Sequence, residues 1–286
     1  MEKRLILRGL LAGAAAGLCA WLFARIFAEP AIQAAIDYET DRDAAQELLD
    51  RAAGRPVSDA EPELFSRTLQ ANIGSAVGML AFGAAVGALF AVGYAICLGR
   101  VGALRPRPLA LLVAAVGFVS LYLVPFVKYP ANPPSVGHAA TIGQRSGLYV
   151  ALVLCSVAFA AGALWLGRRL HRRYGAWTAT LLAIAGYLLA VGVLMALLPA
   201  LGELPDNRAQ YGHFATETPQ PLRDSSGAIV FPGFPADVLV SFRFAALGAQ
   251  ALLWAVLAVV FAPLADRLLR PPATAATAEP DELVAA

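Results

Sequence analysis

The fold class this sequence predicts is an all-α integral membrane protein, a bundle of about six transmembrane helices with both termini in the cytoplasm. Three observations predict it. Of 286 residues, 59% are hydrophobic and only 15% charged, with a mean hydropathy of +0.64, a composition suited to lipid. The apolar residues gather into six runs, each near the ~20 residues needed to cross ~30 Å of hydrocarbon. Lys and Arg divide unevenly between the ends of those runs, as the positive-inside rule requires.

The spans are expected at about 5–28, 69–98, 109–127, 148–167, 177–198 and 244–265, within one polytopic domain, residues 1–270. The third is short and carries Pro125, so five spans is the competing count. Charge decides between them. Six spans put Lys3, Arg4, Arg8, Arg100, Arg105, Arg107, Arg168, Arg169, Arg172, Arg173, Arg267 and Arg270 on one side, in short segments. The other side receives fifteen of the twenty carboxylates. Dropping any span puts basic clusters on both sides.

The first run follows basic residues like a signal peptide, but its length and Arg25 before its end predict an uncleaved span. Gly9, Gly13 and Gly17 lie four apart in it, and Gly74, Gly78, Gly83 and Gly87 in the second, a spacing that lets membrane helices pack closely. In the loop between them, Ala45, Leu48, Leu49 and Ala52 predict a short amphipathic helix ended by Gly54 and Pro56. The second outer loop, KYPANPPSVGHAATIGQR, is stiffened by Pro130, Pro133 and Pro134. In the third, Phe231-Pro232-Gly233-Phe234-Pro235 is expected to fold back on the membrane surface. The Ala/Pro/Thr-rich tail, 271–286, reads as a disordered cytoplasmic segment.

No motif for catalysis or nucleotide binding is present: no G-x-S-x-G, H-E-x-x-H, C-x-x-C or P-loop. Nor is there a soluble basic surface with aromatic readers for nucleic acid. A non-enzyme is expected, with no tightly bound cofactor, no nucleotide and no nucleic acid. The spans hold only mild polar residues deep inside: Asn72, Ser75, Ser120, Tyr122, Ser156, Tyr187 and Gln250. That argues against a self-contained proton-driven pump.

Function is therefore sought at the outer helix ends. Glu29, Glu203 and His138 are the candidate ligands for a divalent cation there, with Asp37, Glu39 and His213 behind them; imidazole with carboxylate suits borderline metals. Cys19 and Cys155, each ten residues from the outer edge, would offer soft ligands near mid-membrane, or serve as small apolar filler. Arg25, Arg67, Lys128, Arg145 and Arg243 share the rim, either as structural partners of its carboxylates or as an anion-binding cluster.

Three segments resemble one family, the CbtA-type predicted cobalt transporter subunits: AGLCAWLFARIFAEPAIQAAIDYE (Ala16–Glu39), FVKYPANPPSVGHAATIGQRSGLY (Phe126–Tyr149), and LPALGELP (Leu198–Pro205) followed by FPADVLVSFRFAALGAQALLW (Phe234–Trp254). The resemblance implies cobalt as transported cation, uptake linked to cobalamin synthesis, a bacterial inner-membrane location, and a small single-span partner rich in histidine. Two positions depart from the family's pattern, Ala140 in place of an acidic residue and Gly202 in place of Asn. The family is often described with five spans, where charge here asks for six. A non-transporting membrane scaffold is the other reading.

Overall fold

The computed structural model describes residues 2–56, 65–134, 136–212 and 216–269. His213 and the tail 271–286 lie outside them. In chain order the helices are α1 (Glu2–Phe27), α2 (Glu29–Ala52), α3 (Arg67–Cys97) and α4 (Pro106–Lys128). A 56-residue helical segment, Ile142–Leu197, follows, then the short α7 (Pro205–Tyr211) and the long α8 (Ala236–Leu269). Between α7 and α8, β1 (Leu222–Arg223) and β2 (Ile229–Phe231) pair antiparallel.

Five of these helices are long and apolar enough to cross a membrane. The longest would measure ~84 Å if straight, far more than one bilayer core. It is not straight. Gly175 sits at φ +75° and ψ 170°, a left-handed conformation open to glycine, and breaks it into α5 (142–174) and α6 (176–197). The two halves fold back on each other: Ser156 and Tyr187 share a 2.8 Å hydrogen bond, and a Cβ on Gly167 would meet that of Ala183 at 3.3 Å.

The main core is built by α1, α3, α4 and α8. The crossing of α1 with α3 is closest of all. A Cβ on Gly13 would lie 2.1 Å from the Gly83 carbonyl, and one on Gly87 the same distance from that of Gly9, so backbone packs on backbone. On the other side α8 supplies bulk. Trp254 fills the space left by Gly117, and Phe261 meets Phe90 and Tyr94 edge-on at 5.0 and 5.1 Å. A second, smaller cluster joins Val124 and Tyr129 to Leu152 and Val191 of the α5–α6 hairpin.

Within its helix the third span, expected at about 109–127, carries Pro125. A widened π turn, Val119–Leu123, precedes it and accommodates the proline's missing N–H, so α4 continues to Lys128. The short helix expected near 45–52 begins at Glu29 instead, because Pro30 falls in its first turn, where proline is welcome. Rather than meeting only the membrane surface, the Phe231–Pro235 stretch packs on this helix: the Tyr38 ring lies 5.4 Å from Phe231 and 5.0 Å from Phe234.

At the end where α1 begins and α8 finishes, Arg107 pairs with Asp266 at 3.0 Å and Arg8 donates to the Leu264 carbonyl. The opposite end, where α1, α4 and α6 finish, is the charged rim.

Candidate functional site at the charged helix ends

The first rim feature forms where α1 passes into α2 beside the start of α3. Ser66 caps α3 by accepting from the Leu69 N–H at 3.4 Å. A π turn over Gln70–Gly74 follows. In it, Asn72 donates to the Thr68 carbonyl at 2.8 Å and accepts from Arg25 Nε at 3.1 Å. One turn deeper, Trp21 Nε1 donates to the Ser75 hydroxyl at 3.0 Å. Arg67 and Glu29 form an ion pair, their side chains 30% and 16% exposed. Arg25, Glu29, Arg67 and Asn72 line a cavity of about 370 Å³ with Gln33 and Thr68.

The second feature is a buried polar network under the proline-stiffened loop. Glu217 (6% exposed) accepts from the Thr141 hydroxyl at 3.2 Å and from Asn207 Nδ2 at 2.6 Å, and pairs with Arg145 at 3.3 Å. Asn207 also donates to the Leu201 carbonyl at 2.8 Å, which fixes its amide orientation. Its Oδ1 therefore faces His138 Nδ1 at 2.6 Å, and the imidazole donates there. Gly137, at φ +148°, lets the loop pass this close: a Cβ would stand 2.7 Å from the Arg145 guanidinium.

Between this loop and α2 lies a cavity of about 150 Å³. Glu39 and Asp43, one helical turn apart, line it from α2; Val136, Gly137, His138 and Pro219 line it from the loops. Arg42 also reaches it and donates to the Gln220 carbonyl at 3.2 Å. Burial pushes the Tyr38 hydroxyl above its usual pKa range, against the pull of Arg42. The hydroxyl stays protonated and donates to the Pro232 carbonyl at 2.9 Å.

The expected ligands are thus spread over the rim. Glu29 is held by Arg67, His138 belongs to the buried network, and the exposed Glu203 accepts from the Ala200 N–H of its own turn at 3.4 Å. Among the described residues no three His, Cys, Asp or Glu side chains stand together as a metal-holding group. Cys19 and Cys155 are half-buried free thiols on α1 and α5. Of the rim cations, Arg243 anchors the proline loop through the Ala131 carbonyl and Asn132, at 3.2 and 2.9 Å, and Lys128 lies 5.9 Å from the Tyr129 ring. Sequence reasoning missed Glu217 and Asn207. Glu217 lies in an aperiodic loop, and Asn207 sits on α7, which is too short for its spacing to mark a buried residue.

A family model described as "Probable cobalt transporter subunit (CbtA)" matches residues 2–266. The chain belongs to the CbtA family. It is accordingly a membrane protein with a transport role, one subunit among other components, and a transporter subunit is not an enzyme class. No curated protein and no solved structure matches the chain. The segments that carry the CbtA resemblance converge on the charged rim. Ala16–Glu39 supplies Arg25, Glu29 and Glu39; Phe126–Tyr149 supplies His138, Thr141 and Arg145; Phe234–Trp254 supplies Arg243.

Proposed function

We propose that this chain is the membrane-embedded subunit of a divalent-cation importer, with cobalt as cargo and cobalamin synthesis as its use. The observation that carries the reading is the family match over residues 2–266, and the second cavity gives it a place to begin. α2 carries seven carboxylates against two arginines. Ion pairs engage Glu29, Glu47 and Asp50, which leaves the Asp37–Asp43 stretch to draw cations. At ~30 Å³ per water, a 150 Å³ cavity holds a cation with part of its hydration shell. In this reading Glu39 and Asp43 attract the hydrated ion, with His138 on the opposite wall, while the exposed Glu203 adds to the field. Glu29 serves Arg67.

The reading has six crossings and both termini in the cytoplasm of a bacterial cell, with the chain in the inner membrane; the break at Gly175 and the charge division support it. A small His-rich single-span protein is the partner, in keeping with the family's description as a subunit.

The test is cobalt accumulation by cells expressing the chain with and without that partner. Accumulation should rise only when both are present. A Glu39→Gln/Asp43→Asn variant should need about tenfold more external cobalt for half-maximal uptake at low ionic strength. A chain that never raises cobalt accumulation, with the partner and with protein levels confirmed, is a scaffold and not an importer. If the double variant behaves as wild type, capture lies elsewhere on the rim.

A further inference from the structure

The first cavity has the opposite sign. Among the described residues its walls carry two guanidinium groups, Arg25 and Arg67, against one carboxylate, and Glu29 is already committed to Arg67. Arg25 uses only Nε, on Asn72, so its two terminal nitrogens have no partner among the described residues. Arg67 Nε is buried and has no hydrogen-bond partner among them either. A buried donor left unmade is costly, and a guanidinium fork matches the oxygens of phosphate. Part of the wall, Ala71 and Asn72, is a π turn, a distortion that concentrates at functional sites.

The surroundings are those of a lipid headgroup. Ile26 and Phe27 directly follow Arg25, while Leu69 and Ile73 bracket Ala71 and Asn72, and all four are exposed. Trp21, one turn deeper, marks the interfacial level. The geometry points to a binding site for a phosphate-bearing anion in this cavity, with a lipid phosphodiester the best-matched source: its single negative charge meets a net charge of one, and its acyl chains lie along the exposed apolar residues. The site stands apart from the cation cavity. Ten residues of α2, ~15 Å of helix, separate Glu29 from Glu39.

The full-length protein, purified in mild detergent, is titrated with phosphatidylglycerol or phosphatidylcholine and read by native mass spectrometry. Wild type should hold one phosphatidylglycerol in preference to phosphatidylcholine. Arg25→Gln should weaken that by about tenfold, the loss of one charge-assisted contact, and Arg25→Lys should restore most of it. Should Arg25→Gln fold poorly, Arg67→Gln lowers the net charge of the cavity by one in the same way, and it too should lose the lipid. In a second arm, millimolar inorganic phosphate that raises the melting temperature of wild type but not of Arg25→Gln, with no lipid retained, assigns the site to a soluble phosphate. Equal retention of phosphatidylglycerol by wild type and both variants, or of the two lipids by wild type, overturns the proposal. Cobalt uptake is measured separately, so failure here leaves the transport reading intact.

Discussion

Glu217 and Glu29 each meet an arginine, yet water reaches them differently. Glu217 is 6% exposed and bound on several sides, whereas the Glu29–Arg67 pair faces a cavity. Removing one partner of a buried pair strands the other's charge, which costs more than the pair contributes. Glu217→Gln should therefore destabilise the protein by about 3 kcal/mol. Adding Arg145→Gln should recover part of that loss, because no stranded charge remains. Thermal unfolding of the purified variants in detergent checks both, and a double variant no better than the single would mean the network matters more than the pair. The Glu29–Arg67 contact was open to sequence reading, since charges at helix ends must pair or snorkel. The Glu217 contact was not: it joins residues 72 apart in the chain, and one of them sits in an aperiodic loop.

At the scale of elements, glycine spacing announced a close helix face but not its partner. Gly9 and Gly13 meet Gly83 and Gly87, and Gly17 meets Met79, while Gly78 has open space beside it. A four-residue repeat sets which side of a helix is small; only the bundle decides what approaches it. Gly13→Leu should force α1 and α3 apart and lower stability by about 1–3 kcal/mol or prevent assembly. Gly78→Leu should be tolerated. Comparing the melting temperatures of the two tests the packing, because both changes alter helix propensity alike. The π turns were illegible for a related reason: one extra residue per turn leaves no periodic trace. The start of α2 was partly legible, in Pro30, but polar residues after it hid the continuing helix.

For the whole molecule, the six apolar runs of the sequence fall on five long apolar helices, two of the runs on the one that breaks at Gly175. The proposed six crossings would place the α3–α4 turn and the Gly175 turn on one side and the β1–β2 turn on the other. In a chain with Cys19, Cys97 and Cys155 replaced by serine, Ser225→Cys should react with an impermeant thiol reagent in intact cells. Tyr174→Cys should react only after the membrane is opened. Both reacting from outside would sink the six-crossing arrangement. The β1–β2 turn is a firm place for such a probe: the Ser226 hydroxyl and the Ser226 and Ala228 N–H groups hold the Asp224 carboxyl below its usual pKa range. That contribution is complete above the ordinary carboxylate range and is lost as pH falls through the depressed pKa.

The two cavities along α2 also have an electrical relation. Their net charges are opposite, and ~15 Å of helix lies between them. At physiological ionic strength the Debye length is ~8 Å, so mobile ions screen each cavity from the other and a cation and an anion occupy them independently. In dilute buffer that screening retreats, and each occupant draws the other closer.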